Sequence, residues 1–97
     1  MTMDNKTNGV IEVKIVYPSA HGPAVGSFAP ETPIREIKTF SLKEFGLKEE
    51  TMDANQIIFF LFHERTKIEN LDQPLATFVI PPGHKAHFRL AKETIAG

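Results

Sequence analysis

The chain has 97 residues, enough for one domain built around one core. Its 11 basic and 12 acidic residues leave a net charge of −1, which excludes the clustered basic excess that a broad nucleic-acid or anionic-membrane footprint requires. Cysteine is absent, which excludes a disulfide framework, a thiolate zinc site and a cysteine nucleophile of the protein's own.

Residues 1–9 are polar and end in Asn8-Gly9, which reads as a disordered lead without the apolar stretch of a secretory leader. The longest strongly apolar run, Ile57 to Phe62, is far short of a membrane span. The expected setting is therefore cytoplasmic, with no membrane or nucleic-acid partner.

Val10 to Tyr17 predicts a strand with Ile11, Val13, Ile15 and Tyr17 on one face and Glu12 and Lys14 on the other. Pro18 closes it, and Ser19 to Pro23 has loop composition. Ala24 to Ala29 predicts a second strand, weakened in its middle by Gly26 and placed to form a hairpin with the first. A helix is predicted next, with Thr32 as N-cap and Pro33 at the first helical position. Ile34, Ile37, Ser41 and Phe45 form its apolar stripe, and Gly46 ends it.

Residues 48–55 read as a polar connection, with Lys48, Glu49 and Glu50 a solvated helix exit. Gln56 to His63 predicts a strand that is apolar on both faces, hence central or open to a partner. Glu64-Arg65-Thr66 turns the chain into a short strand over Lys67-Ile68-Glu69. Asn70 to Phe78 is irregular, with Leu71, Leu75 and Phe78 as core plugs, and Pro81-Pro82-Gly83 is a hard turn. Lys85 to Ala91 predicts the last strand, with Ala86, Phe88 and Leu90 alternating against Lys85, His87 and Arg89. The division expected is a lead over 1–9, one domain over 10–91 and a flexible tail over 92–97.

This order makes an α+β domain in which one helix covers one face of a mixed sheet of four to five strands. The helix separates the first hairpin from the later strands, so the first and last strands can lie parallel at the sheet centre.

From Val10 to Gly97 the chain resembles the ubiquitin-like, or β-grasp, family. The resemblance rests on the opening hairpin and the helix start Thr32-Pro33-Ile34-Arg35-Glu36-Ile37-Lys38. It rests also on Leu61-Phe62-His63-Glu64-Arg65-Thr66-Lys67-Ile68-Glu69, on the loop Leu75-Ala76-Thr77-Phe78-Val79-Ile80, and on the final Ala86-His87-Phe88-Arg89-Leu90.

The resemblance implies a protein modifier used through its C-terminal glycine, Gly97, preceded by Ala96 where the family usually has a second glycine. The partners it implies are an ATP-dependent activating enzyme, a conjugating enzyme and target proteins, with all catalysis in the partners. Ala96 points to a divergent, bacterial cognate system, and Gly97 as last residue to a modifier that needs no processing protease. The resemblance also favours Phe60 and Phe62 as outward-facing, with Phe62 where ubiquitin carries the central aliphatic residue of its recognition patch. With His87 and Arg89 beside them these rings make a candidate partner-binding face.

Two other roles stay open: a sulfur carrier with a C-terminal thiocarboxylate, and a non-conjugated interaction module. The four histidines, His21, His63, His84 and His87, read as exposed polar groups, and no cysteine or carboxylate cluster completes a metal set with them. No phosphate-binding loop or nucleophile elbow is present. The expectation is a monomer with no cofactor and no enzymatic activity.

Overall fold

A computed structural model describes residues 9–79 and 83–96. Residues 1–8 of the lead expected over 1–9, the prolines of the expected Pro81-Pro82-Gly83 turn and Gly97 lie outside the described residues.

Alternating β-branched residues make β1 (Ile11–Val16), which pairs antiparallel with β2 (Ala24–Phe28). Helix α1 (Ile34–Phe45) crosses the sheet and buries Ile34, Ile37 and Ser41 completely. Ser41 is small enough for close approach, and its hydroxyl donates to the Lys38 carbonyl, 2.7 Å away.

Pro33, not Thr32, occupies the N-cap of α1, and no side chain caps the helix. The free amides at that end are served by another loop: Ile34 donates to the Gln73 carbonyl and Arg35 to that of Leu71. Leu75 and Ala76 donate back to Thr32 and Pro30, so the loop after β5 and the start of the helix hold each other. At the other end Gly46 has φ +69°, and the amides of Gly46 and Leu47 return to Lys43 and Leu42, a Schellman ending.

Residues 48–55 are not a plain connection. Glu50–Met52 forms β3, a hairpin with β4 (Asn55–His63) closed by Asp53 and Ala54, both at positive φ. Asp-Ala lacks the glycine that marks such turns, which hides the hairpin in the sequence. β5 is Thr66–Lys67, and Leu75–Phe78 is a 3₁₀ turn that buries Leu75.

The last strand, β6 (Lys85–Ala96), continues five residues past the expected end at Ala91. The stretch expected as tail is zipped to β4, from Phe59↔Lys92 to Asn55↔Ala96, because β4 itself begins at Asn55.

The six strands run β2-β1-β6-β4-β3, with β5 on β4, and β1 lies parallel to β6. Val13, Ile15, Phe59, Leu61, Phe88 and Leu90 fill one face of this sheet against Ile34, Ile37 and Leu75. Each such fully buried aliphatic side chain contributes roughly 1.5–3 kcal/mol.

Gly26 has a packing role. A Cβ there would stand 2.9 Å from the Phe40 ring and 3.0 Å from that of Phe28. The two rings meet edge to face over it, centroids 5.1 Å apart, and so anchor α1 on β2. Gly26→Ala is therefore expected to destabilise the fold by about 1–3 kcal/mol through overpacking. A urea melt reads this as a lower midpoint with an unchanged slope.

Candidate interaction face and terminal strand

Strands β4 and β6 carry the residues singled out in the sequence. Their register has no interruption from Asn55↔Ala96 to Phe62↔Arg89. Alternation then settles the faces: Phe59 and Leu61, with Phe88 and Leu90, are buried inward, and Phe60, Phe62, His87 and Arg89 point outward.

The outward rings are half-buried because cations lie on them. Arg89, opposite Phe62, places its guanidinium carbon 4.6 Å from the ring centroid. Lys67, on β5, places its ammonium 4.0 Å from the centroid of Phe60. That ammonium also donates to Glu93 on β6, 3.1 Å away, so Lys67 spans β4 across the Phe60 ring. Contacts of this kind are worth about 0.5–1 kcal/mol each at exposed sites. Their larger consequence is to hold both rings flat against the sheet under a positively charged cover.

Phe60, Phe62 and Arg89 are thus brought together. His87 is exposed on the same face, two residues along β6 from Arg89 and opposite Lys14 of β1. The sequence reading missed Lys67 and Glu93. Glu93 shares the parity of Arg89 on β6, but only a strand that continues past Ala91 places it here.

Glu49 is exposed, as expected of the helix exit, but its carboxylate is engaged. Its carboxylate accepts hydrogen bonds from the Phe59 amide and the Lys38 ammonium, each at 2.8 Å. β3 reaches only to the Glu50↔Ile57 pair, so Glu49 serves the edge amide that β3 leaves free. Partial burial acts to raise its pKa. The Lys38 hydrogen bond, the Phe59 amide and the Lys38 charge outweigh that and leave it below the ordinary 4.5.

His63 is the exception among the histidines. It is half-buried, with its ring 5.1 Å from Phe78 and 5.9 Å from Phe88, whereas His21, His84 and His87 are exposed. Among the described residues no three His, Asp or Glu side chains stand close enough to hold a metal ion. No helix of the described residues is long and apolar enough to cross a membrane.

No protein-family model and no curated protein matches the chain. Solved structures do resemble it. Caldiarchaeum subterraneum ubiquitin is similar with a TM-score of 0.64 and 20% identity, over 92% of this chain and 100% of that one. An Arabidopsis thaliana protein gives 0.58 and 11%, over 90% of each chain. A ubiquitin-like protein from the same archaeon gives 0.51 and 17%, over 89% of this chain and all of the other. Together with the parallel β1–β6 pairing and the crossing of α1 over the sheet, this likeness shows a ubiquitin-like β-grasp fold.

The Glu49 bridge sets a pH dependence. A carboxyl whose folded pKa lies below its unfolded value contributes stability in full above the unfolded value, and that contribution is lost as pH falls through the folded one. The stability advantage of the wild type over Glu49→Gln is therefore expected to hold at neutral pH and to shrink below about pH 4.5. Urea midpoints measured across pH 3–7 check this.

Proposed function

We propose that this protein is a ubiquitin-like modifier, activated at Gly97 by an ATP-dependent enzyme and joined to target proteins. The observation that carries the reading is the course of β6. Phe88 and Leu90 anchor it in the core at the sheet centre, and from there it runs outward to Ala96 with exposed side chains at Lys92 and from Thr94 on. The acyl group to be transferred is then attached to a strand whose first half is anchored in the core.

The chemistry follows from the carboxylate. Its oxygen attacks the α-phosphate of ATP, giving an acyl-adenylate and releasing pyrophosphate. An enzyme thiolate displaces AMP to form a thioester, and a target amine or hydroxyl displaces the thiol. The ATP site and the thiols belong to the partner enzymes, in keeping with a chain that has no cysteine. The channel that admits the terminus must accommodate the methyl of Ala96.

The outer face supplies the docking surface in this reading. Phe60 and Phe62, with Lys67 and Arg89 laid over them, form the surface that a partner meets, and His87 borders it with a donor. The same face serves the activating and conjugating enzymes in turn.

Two measurements test the proposal. The intact chain, mixed with ATP and an adenylating enzyme that activates ubiquitin-like proteins, is expected to form an adenylate and a thioester visible by mass spectrometry. Deletion of Gly97 should abolish both. An unchanged yield after deletion would contradict the role, and replacement of a terminal carboxyl oxygen by sulfur would mark a sulfur carrier instead. Phe62→Asp should weaken binding to that enzyme by roughly 30-fold or more, as for an interface hot spot, and leave the fold intact. Unfolding of this variant would contradict the assignment of Phe62 to the docking face.

A further inference from the structure

The outer face of the sheet is more basic than the chain as a whole. Its outward-facing strand positions carry four cations, Lys14, Lys67, Lys85 and Arg89, against two carboxylates, Glu12 and Glu93. The whole chain has 11 basic and 12 acidic residues. Two of the four cations are already paired within the face. Lys85 lies 3.8 Å from Glu12, and Lys67 lies 3.1 Å from Glu93. Among the described residues no carboxylate pairs with Lys14 or Arg89.

These two cations are neighbours. Lys14 stands opposite His87 across the β1–β6 pair, and Arg89 is the next outward residue of β6. Outward residues that follow each other on one strand are about 6.5 Å apart, so a single short segment can reach both charges, with the His87 ring between them. The ground around them is apolar. Val25, opposite Lys14 on β2, is 54% exposed, and Val16, opposite Arg89 on β1, is 44% exposed. A cleft of about 270 Å³ opens among Glu12, Lys14, Val25, Lys85 and His87.

We propose that this part of the outer face binds an acidic polypeptide segment in which carboxylates and apolar side chains are interspersed. Its carboxylates meet Lys14, His87 and Arg89, and its apolar groups cover Val16 and Val25. Charge complementarity selects this partner, because a positive patch favours a negative one and repels a positive one. The patch is basic although the chain as a whole is not, and its two unpaired cations lack only an outside carboxylate.

A nucleic acid fits this pattern less well. Its phosphates repeat without interruption and need a run of cations. Here Glu12 and Glu93 lie on either side of the unpaired cations, and exposed valines stand beside them. The inference rests on the reading of this sheet face as a docking surface, and it adds the chemistry of the partner. It does not depend on the chemistry at Gly97.

The test titrates the full chain, isotopically labelled, with a short synthetic peptide of interspersed glutamate and leucine, and separately with its lysine–leucine counterpart. The acidic peptide is expected to move the backbone NMR signals of Lys14, Val16, Val25, His87 and Arg89, and the basic peptide to leave them in place. Lys14→Glu and Arg89→Glu, both at exposed positions, should each weaken binding by roughly tenfold. Arg89→Lys, which keeps the charge, should retain most of the affinity. Lys43→Glu makes the same change of charge on the exposed last turn of α1 and should leave binding unchanged. Signals that do not move, or that move elsewhere, overturn the proposal. So does a loss at Lys43→Glu equal to that at Arg89→Glu, or an oligothymidylate that binds the same residues as tightly as the acidic peptide. If Phe62→Ala abolishes binding and neither charge reversal weakens it, the docking face stands and its acidic partner does not. These readouts need neither ATP nor an activating enzyme, so their outcome is separate from that of the modifier role.

Discussion

The parallel pairing of β1 with β6 is the constraint on which the rest of this structure depends. It joins the two ends of the chain at the sheet centre, and the hydrophobic effect enforces it. Val13 and Ile15 from one strand and Phe88 and Leu90 from the other bury their side chains under α1. A shift of either strand by one residue would turn these side chains to solvent and bring Lys14, His87 and Arg89 inward. The register therefore follows from burial. Once β6 is placed, its antiparallel partner β4 must put Phe59 and Leu61 inward and Phe60 and Phe62 outward. The outer face is thus a by-product of the core.

That face shows how a sheet displays large apolar groups in water. Lys67 lies over Phe60 and Arg89 over Phe62, so each ring keeps one side on the sheet and the other under a cation. The glutamate that steadies Lys67 comes from the distal half of β6. The aromatic face and the terminal strand are physically continuous: whatever engages Glu93 also touches the support of Phe60. A partner docking on the rings and a partner handling the terminus would meet on the same strand.

Much of this was legible in the residues. Alternation in Ile11-Glu12-Val13-Lys14-Ile15 and in Ala86-His87-Phe88-Arg89-Leu90 set out both central strands and their faces, since period-two burial leaves a period-two pattern. The helix was marked by its stripe and by Gly46, which ends it in the left-handed conformation. Most of the misses share a cause, namely structure held by partners distant in the chain. Thr32 is not a cap because carbonyls of Leu71 and Gln73 serve the helix start. β3 was hidden because Asp53 and Ala54 make its turn without glycine. Lys92-Glu93-Thr94-Ile95-Ala96 has no burial signal of its own and becomes strand only because β4 extends beside it. For the same reason Lys67 and Glu93 could not be placed on the candidate face before the strand register was known.

The central claim is that β6 remains paired with β4 from the core out to Ala96 and so presents both the outer face and the terminal strand. Cross-strand NMR contacts test it most directly. The account predicts backbone nuclear Overhauser effects between Ile57 and Thr94 and between Asn55 and Ala96, of the same kind as those between Leu61 and Leu90. Contacts that stop at Ala91, with random-coil shifts over 92–96, would contradict it.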